Sequence, residues 1–248
     1  MNSAISLPIR FCVLLLAALG VACAPGNHRA AGDASRPMYF AKGSDVVTPD
    51  GLHRVKWEAF PTTFVRPGAK LQVYTAVLLD AVTIAYQSPP RRYAPGTGTL
   101  DANFALSPRA TDHMKRYFHD ALVEELIHSD EFRIATAPGP DVLRISGHIV
   151  SLKITAPPER EQLPDEKVYV TSSGSMTLLL DARDSLTGES LVRVGERRDI
   201  TLGDGVNQFY WSTPVSSAGA VQVVFDDWAR RLRVELVQFK GLNEIPGT

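Results

Sequence analysis

The chain has 248 residues, of which 44% are apolar and 21% charged, with a formal net charge of −1. That length allows one sizeable core or two small ones, and the near-zero charge gives no whole-chain electrostatic case for nucleic acid. Aromatic residues at 8%, with charges of both signs interspersed, argue against wholesale disorder.

The first element is an uncharged run, Phe11 to Ala22, preceded by Arg10 and the terminal amine. About a dozen apolar residues fall short of the roughly 20 that a helix needs to span a bilayer. A short apolar stretch ending in small residues reads instead as a secretory signal over residues 1–22. The four residues Gly20-Val21-Ala22-Cys23 resemble the lipobox of bacterial lipoproteins, with Gly20 standing where that pattern prefers Leu. The resemblance implies that Cys23 receives a diacylglycerol and an N-acyl chain, and no other cofactor is expected. The other cysteine, Cys12, lies inside the signal and would leave with it. A mature chain would then begin with its single cysteine and form no internal disulfide. By analogy with lipoprotein sorting, Ala24 in place of Asp favours the outer membrane, with the chain on its periplasmic face.

Residues 23–44 are small, polar and rich in Gly and Pro. They read as a tether that tightens near Met38-Tyr39-Phe40, with a single folded domain over 45–248. Leu71 to Tyr86 is β-branched and aromatic between Pro67-Gly68 and Pro89-Pro90, so it predicts one long strand, or two broken near Asp80. The following loop holds Gly96 and Gly98, but no strand leads into it and no phosphate-loop Lys follows. Ser107 and Pro108 suit the start of a helix. Ala110, Met114, Phe118, Leu122 and Leu126 recur every fourth residue after them, with Tyr117 and Ala121 widening the stripe.

Phe132 to Thr136 predicts a short strand, Pro138-Gly139-Pro140 a turn, and Val142 to Ile154 a longer strand. Its alternation shifts phase between Ile149 and Val150, which predicts a bulge. Val168–Ala182 and Leu191–Leu202 predict two strands joined by the turn-forming Asp184, Ser185, Gly188 and Ser190. A loop containing Phe209, Tyr210 and Trp211 precedes a second amphipathic helix. Val221, Val224, Phe225, Trp228, Leu232, Leu236 and Phe239 form its apolar stripe. The order predicts an α+β fold, a mainly antiparallel sheet with two amphipathic helices packed on one face.

Taken in order, the segments "VRPGAKLQVYTAVLLDAVTIAY", "YFHDALVEEL", "APGPDVLRISGHIVSL", "GSMTLLLDARDSLTGESLVRVGERRD" and "FDDWARRLRVEL" resemble a proteobacterial lipoprotein family of unknown function, DUF 3313. The resemblance runs from about Arg66 to Leu236. It implies a membrane-anchored periplasmic α+β domain and brings no reaction, cofactor or catalytic residue.

Candidate chemistry is sparse. His113 and His119 stand about 240° apart around a helix, and so share no face for a metal. Ser172 to Met176 has a Ser-Gly-Ser core inside an alternating strand, where Gly marks a bulge, and no Gly-x-Ser-x-Gly elbow is present. The adjacent carboxylates Glu124-Glu125 and Asp226-Asp227 diverge by about 100° on a helix; the second pair, placed in the first half of its helix, is assigned to the helix dipole. The candidate contact residues for a partner or for lipid are therefore Phe209, Tyr210 and Trp211 in their loop, and Arg230, Arg231 and Arg233 on the last helix. The expected function is a non-enzymatic module that binds or scaffolds an envelope protein. The alternatives are a periplasmic hydrolase with a spatially assembled site, or a carrier of lipid or glycan.

Overall fold

A computed structural model describes residues 38–40, 46–57, 59–91, 103–156, 167, 169–202, 210–211 and 213–246. All of these fall in the compact unit Ala34–Thr248. The first strands are β1 (Met38–Tyr39), β2 (His53–Lys56), β3 (Thr62–Val65), β4 (Ala76–Leu79) and β5 (Thr83–Tyr86). Helix α1 (Pro108–Ile127) follows, then β6 (Arg133–Ile134), β7 (Val142–Ile154) and β8 (Tyr169–Val170). The chain continues with β9 (Gly174–Asp184), β10 (Ser190–Ile200), β11 (Tyr210–Trp211) and helix α2 (Pro214–Lys240). The main sheet has the order β1-β2-β3-β10-β9-β7-β4-β6, with β5 also pairing with β7. Strands β4, β5 and β6 run parallel to their neighbours, and the other pairings are antiparallel. The fold is α+β.

Period-two patterning sets the two faces of the central strands. On β7, β9 and β10 the buried set includes Leu143, Ile145, Ile149, Leu178, Leu180, Ala182, Val192 and Val194. Both helices cover this face. Phe118 of α1 lies over Gly147, where an added Cβ would stand 3.2 Å from the phenyl ring. Trp228 of α2 reaches Glu196 on β10. Phe118, Phe225 and Trp228 meet between the helices at centroid distances of 4.8 to 6.3 Å. The α1 stripe is buried at Met114, Phe118, Ala121, Leu122 and Leu126, while Tyr117 lies at its exposed border.

The predicted bulge is present. The pairing of β7 with β9 slips between Val150 and Lys153, and Ser151 takes a positive φ of 51°. The extra residue moves the buried positions from odd to even numbers, so Leu152 is buried after Ile149. Gly174 on β9 faces the slip with φ of 151°, and a Cβ there would lie 2.0 Å from the Lys153 carbonyl oxygen.

Four predicted elements are corrected. Leu71–Val73, read as the start of a strand, is a turn of 3-10 helix; the rest of 71–86 forms two strands, β4 and β5, parted at Asp80–Val82, in line with the alternative of two strands broken near Asp80. The strand predicted over 168–182 breaks at Thr171–Ser173. There the Ser172 hydroxyl donates to the Gly174 carbonyl and accepts from its amide, a local side-chain bond that competes with regular strand geometry, while Ser173 keeps backbone bonds to Ile200 and Thr155. Tyr210–Trp211, read as loop, pairs with β8 as a second two-stranded sheet. Asp226 and Asp227 lie in the middle of the 27-residue α2, beyond reach of a dipole effect that fades within the first turn.

Helix α2 begins at a reciprocal cap. The Thr213 hydroxyl accepts from the Ser216 amide at 3.0 Å, and the Ser216 hydroxyl accepts from the Thr213 amide at 2.8 Å. Thr213→Ala is expected to lower stability by about 1 kcal/mol, measured as a drop in the urea midpoint with unchanged slope. On α1 the Ser107 hydroxyl accepts from the Ala110 amide, with Pro108 opening the helix.

Candidate functional site

Arg230, Arg231 and Arg233 follow Trp228 on α2, and successive residues on a helix diverge by about 100°. The structure sends the three guanidiniums to different places. Arg230 pairs with Asp227 one turn back on the outer face. Arg233 crosses to α1 and donates to Glu125 at 2.8 Å. Arg231 turns inward to the end of the sheet. It pairs with Glu196 of β10, sits 3.0 Å from Asp227, and donates to the Ala59 carbonyl at 2.9 Å. Its guanidinium lies 5.1 Å from the Phe60 ring centroid. Glu196 also accepts from Trp228 Nε1 at 2.6 Å, and Asp227 accepts from Arg198 at 2.6 Å. Burial works to raise the Asp227 carboxyl, but Arg198, Arg231 and Arg230 outweigh it and hold it below the usual range.

Beside this network lies an open groove of about 350 Å³, lined by Glu125, Arg198, Val223, Asp226, Asp227 and Arg230. Asp226 is raised by burial and then by the like charges of Glu124 and Glu125 on α1. The groove thus presents both signs of charge around one exposed valine. Its arginines already hold Asp227, so an incoming anion competes with that carboxylate.

The uncovered face of the sheet is self-paired in the same way. Asp80 accepts from Arg144 and Ser146. Asp181 accepts from Arg183 and Arg193 at 2.7 and 2.8 Å, and from Ser190. Arg193 extends to Asp50 at 2.7 Å. The Arg193 bond, followed by that of Thr48, holds Asp50 down to about 2.

Cys23 and Phe209 lie outside the described residues, and the backbone of Tyr210 and Trp211 forms β11. The structure therefore does not bring the aromatic triplet and the arginines into one described site. The helical histidines stand apart: His119 lies beside Asp120 and His128 against the Glu124 carbonyl. His148 on β7 meets the Thr83 hydroxyl at 2.7 Å. Among the described residues no three His, Cys, Asp or Glu are placed to hold a metal ion.

Sequence reasoning missed Glu196 and Glu235. Both carried a usable signal. Glu196 follows Val192 and Val194 on the apolar face of its strand, and Glu235 falls on the helical stripe of Trp228, Leu232 and Phe239. A charged residue on a buried face needs a partner or a shifted pKa.

Comparison with solved structures finds weak likenesses. A single-residue variant of the PelC dodecamer from Paraburkholderia phytofirmans is 13% identical over 69% of this chain and 96% of its own, at a TM-score of 0.34. The hypothetical protein CT253 from Chlamydia trachomatis is 12% identical over 66% and 98%, at 0.35. A lipoprotein candidate from Caulobacter crescentus CB15 is 12% identical over 69% and 92%, at 0.34. Scores this low carry neither a fold assignment nor a function to this chain. No curated protein matches the sequence. The profile of one family, described as proteins of unknown function, DUF3313, matches residues 43–232, well over half of the chain. The chain belongs to the DUF3313 family.

Proposed function

We propose that this protein is an envelope lipoprotein, anchored through acylated Cys23 at the periplasmic face of the outer membrane, where it binds or scaffolds another envelope protein. The observation that carries this reading is the apolar run ending in Gly20-Val21-Ala22-Cys23, with the only other cysteine, Cys12, inside that run. An acylated terminal cysteine gives two or more chains for stable membrane attachment. The family membership is compatible with this and names no activity. The proposed contact residues are Phe209, Tyr210 and Trp211 together with Arg230, whose side chain is more than half exposed, and, with smaller exposed fractions, Arg231 and Arg233.

The test is metabolic labelling with palmitate in a Gram-negative host. Label is expected in the wild-type chain and absent from Cys23→Ala, which should also lose its place in the membrane fraction. A wild-type chain that takes up no label overturns the anchor. A labelled chain that brings down no stoichiometric partner from detergent-solubilised envelope overturns the scaffold.

A further inference from the structure

We propose that Glu235 is a proton-dependent latch that holds the N-terminal strands β1–β3 against helix α2. This inference does not rest on the lipoprotein reading. Glu235 is 0% exposed, and neither carboxyl oxygen has a hydrogen-bond partner among the described residues. It lies within an apolar stripe of α2, one turn after Arg231 and one turn before Phe239. All three positions meet residues of the same short stretch, Trp57, Ala59, Phe60 and Thr63. Arg231 bonds the Ala59 carbonyl and covers Phe60. Phe239 stacks on Trp57 at a centroid distance of 4.6 Å and 18° between planes. Glu235 faces Thr63, itself fully buried, whose hydroxyl is turned to the Phe60 carbonyl at 3.4 Å. Trp57 Nε1 in the same contact is also buried without a partner among the described residues.

An unpartnered neutral carboxyl is costly in such a place, and an unpartnered carboxylate far more so. Ionisation therefore requires a cation or water. The charged and titratable groups on the surrounding elements offer little help. Arg231 is the nearest cation along α2, and it is already held by Glu196 and Asp227. His53, on the same face of β2 as Val55, stands edge-on to Tyr39. Lys70, before the 3-10 turn, reaches Glu244. Glu196 and Asp227 carry the wrong sign. The route to water is the lifting of Trp57, Phe60 and Thr63 together with β1–β3, which breaks the four-residue pairing of β3 with β10 and the Asp50–Arg193 and Tyr39–Pro246 contacts.

The sign follows from burial. Burial drives the Glu235 carboxyl from its ordinary 4.5 up to about 8, opposed more weakly by Thr63 and Arg231. Between those values the closed form keeps a proton that the open form has released. Opening therefore becomes easier as pH rises through that window, and levels off above it.

Native-state hydrogen exchange on the intact protein, corrected for intrinsic rates, tests this between pH 5 and 9. The opening constant of amides in β2 and β3 is expected to rise about tenfold per pH unit up to pH 8 and then flatten. Amides of Leu143–Ile149 in β7, freed only when the whole domain unfolds, carry the same linkage but should show a much smaller opening constant at every pH. In Glu235→Gln the slope in β2 and β3 should vanish; Glu235→Leu serves if that variant does not fold. A wild type without the slope, an opening of β2 and β3 no easier than that of β7, or a slope that survives removal of the carboxyl would each overturn the latch.

Discussion

Arg231→Met is expected to be among the most damaging single substitutions in this protein, costing roughly 3–5 kcal/mol. The arginine joins three elements at one point: Glu196 on β10, Asp227 on its own helix, and the Ala59 carbonyl in the β2–β3 connection. The Arg231 and Glu196 side chains are 21% and 13% exposed, so the pair is nearly out of water. Removal of the arginine leaves the Glu196 carboxylate to the indole of Trp228, a neutral donor. An uncompensated charge in that position is what makes broken buried pairs expensive. The sharper prediction concerns the pair. Glu196→Gln keeps an acceptor for Trp228 Nε1 while removing the charge, so Arg231→Met with Glu196→Gln should be more stable than Arg231→Met alone. Urea denaturation of the wild type, both single variants and the double variant gives the coupling energy, expected at about 0.5–3 kcal/mol. A double variant that loses the full sum of the two single losses would show that the pair does not act as a unit.

Gly174→Ala should be of similar size for a different reason. The backbone there has φ of 151°, a region that costs a side chain about 1–3 kcal/mol. A Cβ would also sit 2.0 Å from the Lys153 carbonyl oxygen. That overlap is with backbone across the bulge, so no side-chain rotation relieves it, and overpacking of this kind adds about 1–3 kcal/mol. A total loss of roughly 2–6 kcal/mol follows. Gly188 in the β9–β10 hairpin is the control. It also has positive φ, at 73°, but a Cβ there meets nothing within 4 Å. Gly188→Ala should therefore show the conformational cost alone, about 1–2 kcal/mol. Equal urea midpoints for the two variants would mean that the close approach at Lys153 is not what requires glycine.

The two helices were legible because their signals are local. Ser107-Pro108 supplies a cap and a first-turn proline for α1, and the buried stripes of both helices recur at helical spacing; the first turn of α2, capped by Thr213, reads as loop in the sequence. The long strand β7 was legible to its ends, Val142 and Ile154, and so was its bulge, because an extra residue reverses the alternation in the sequence itself. Strands β1 to β3 were not legible. They are four residues or fewer, too short for a period of two to stand out. What makes β3 a strand is pairing with β10, far away in the chain, and β2 and β1 add to it in turn. The break at Thr171–Ser173 was hidden for a related reason, since the Ser172 hydroxyl bonds to its own neighbourhood and to the Ile200 carbonyl.

The candidate site divides along the same line. The sequence placed three arginines beside Trp228, and the resemblance of Gly20-Val21-Ala22-Cys23 to a lipobox implied Cys23 as the place of attachment, because such motifs are properties of the linear chain. They could not say what the arginines hold. Charge pairing is decided in three dimensions: Glu125, Glu196 and Asp227 reach the cluster from one helix, one strand and the arginines' own helix. Glu235 shows the same limit from the other side. Its place on the apolar stripe could be read from the sequence, but its burial, with Thr63 facing it, comes from tertiary packing. Burial, and with it the protonation state of a carboxyl, belongs to the assembled structure.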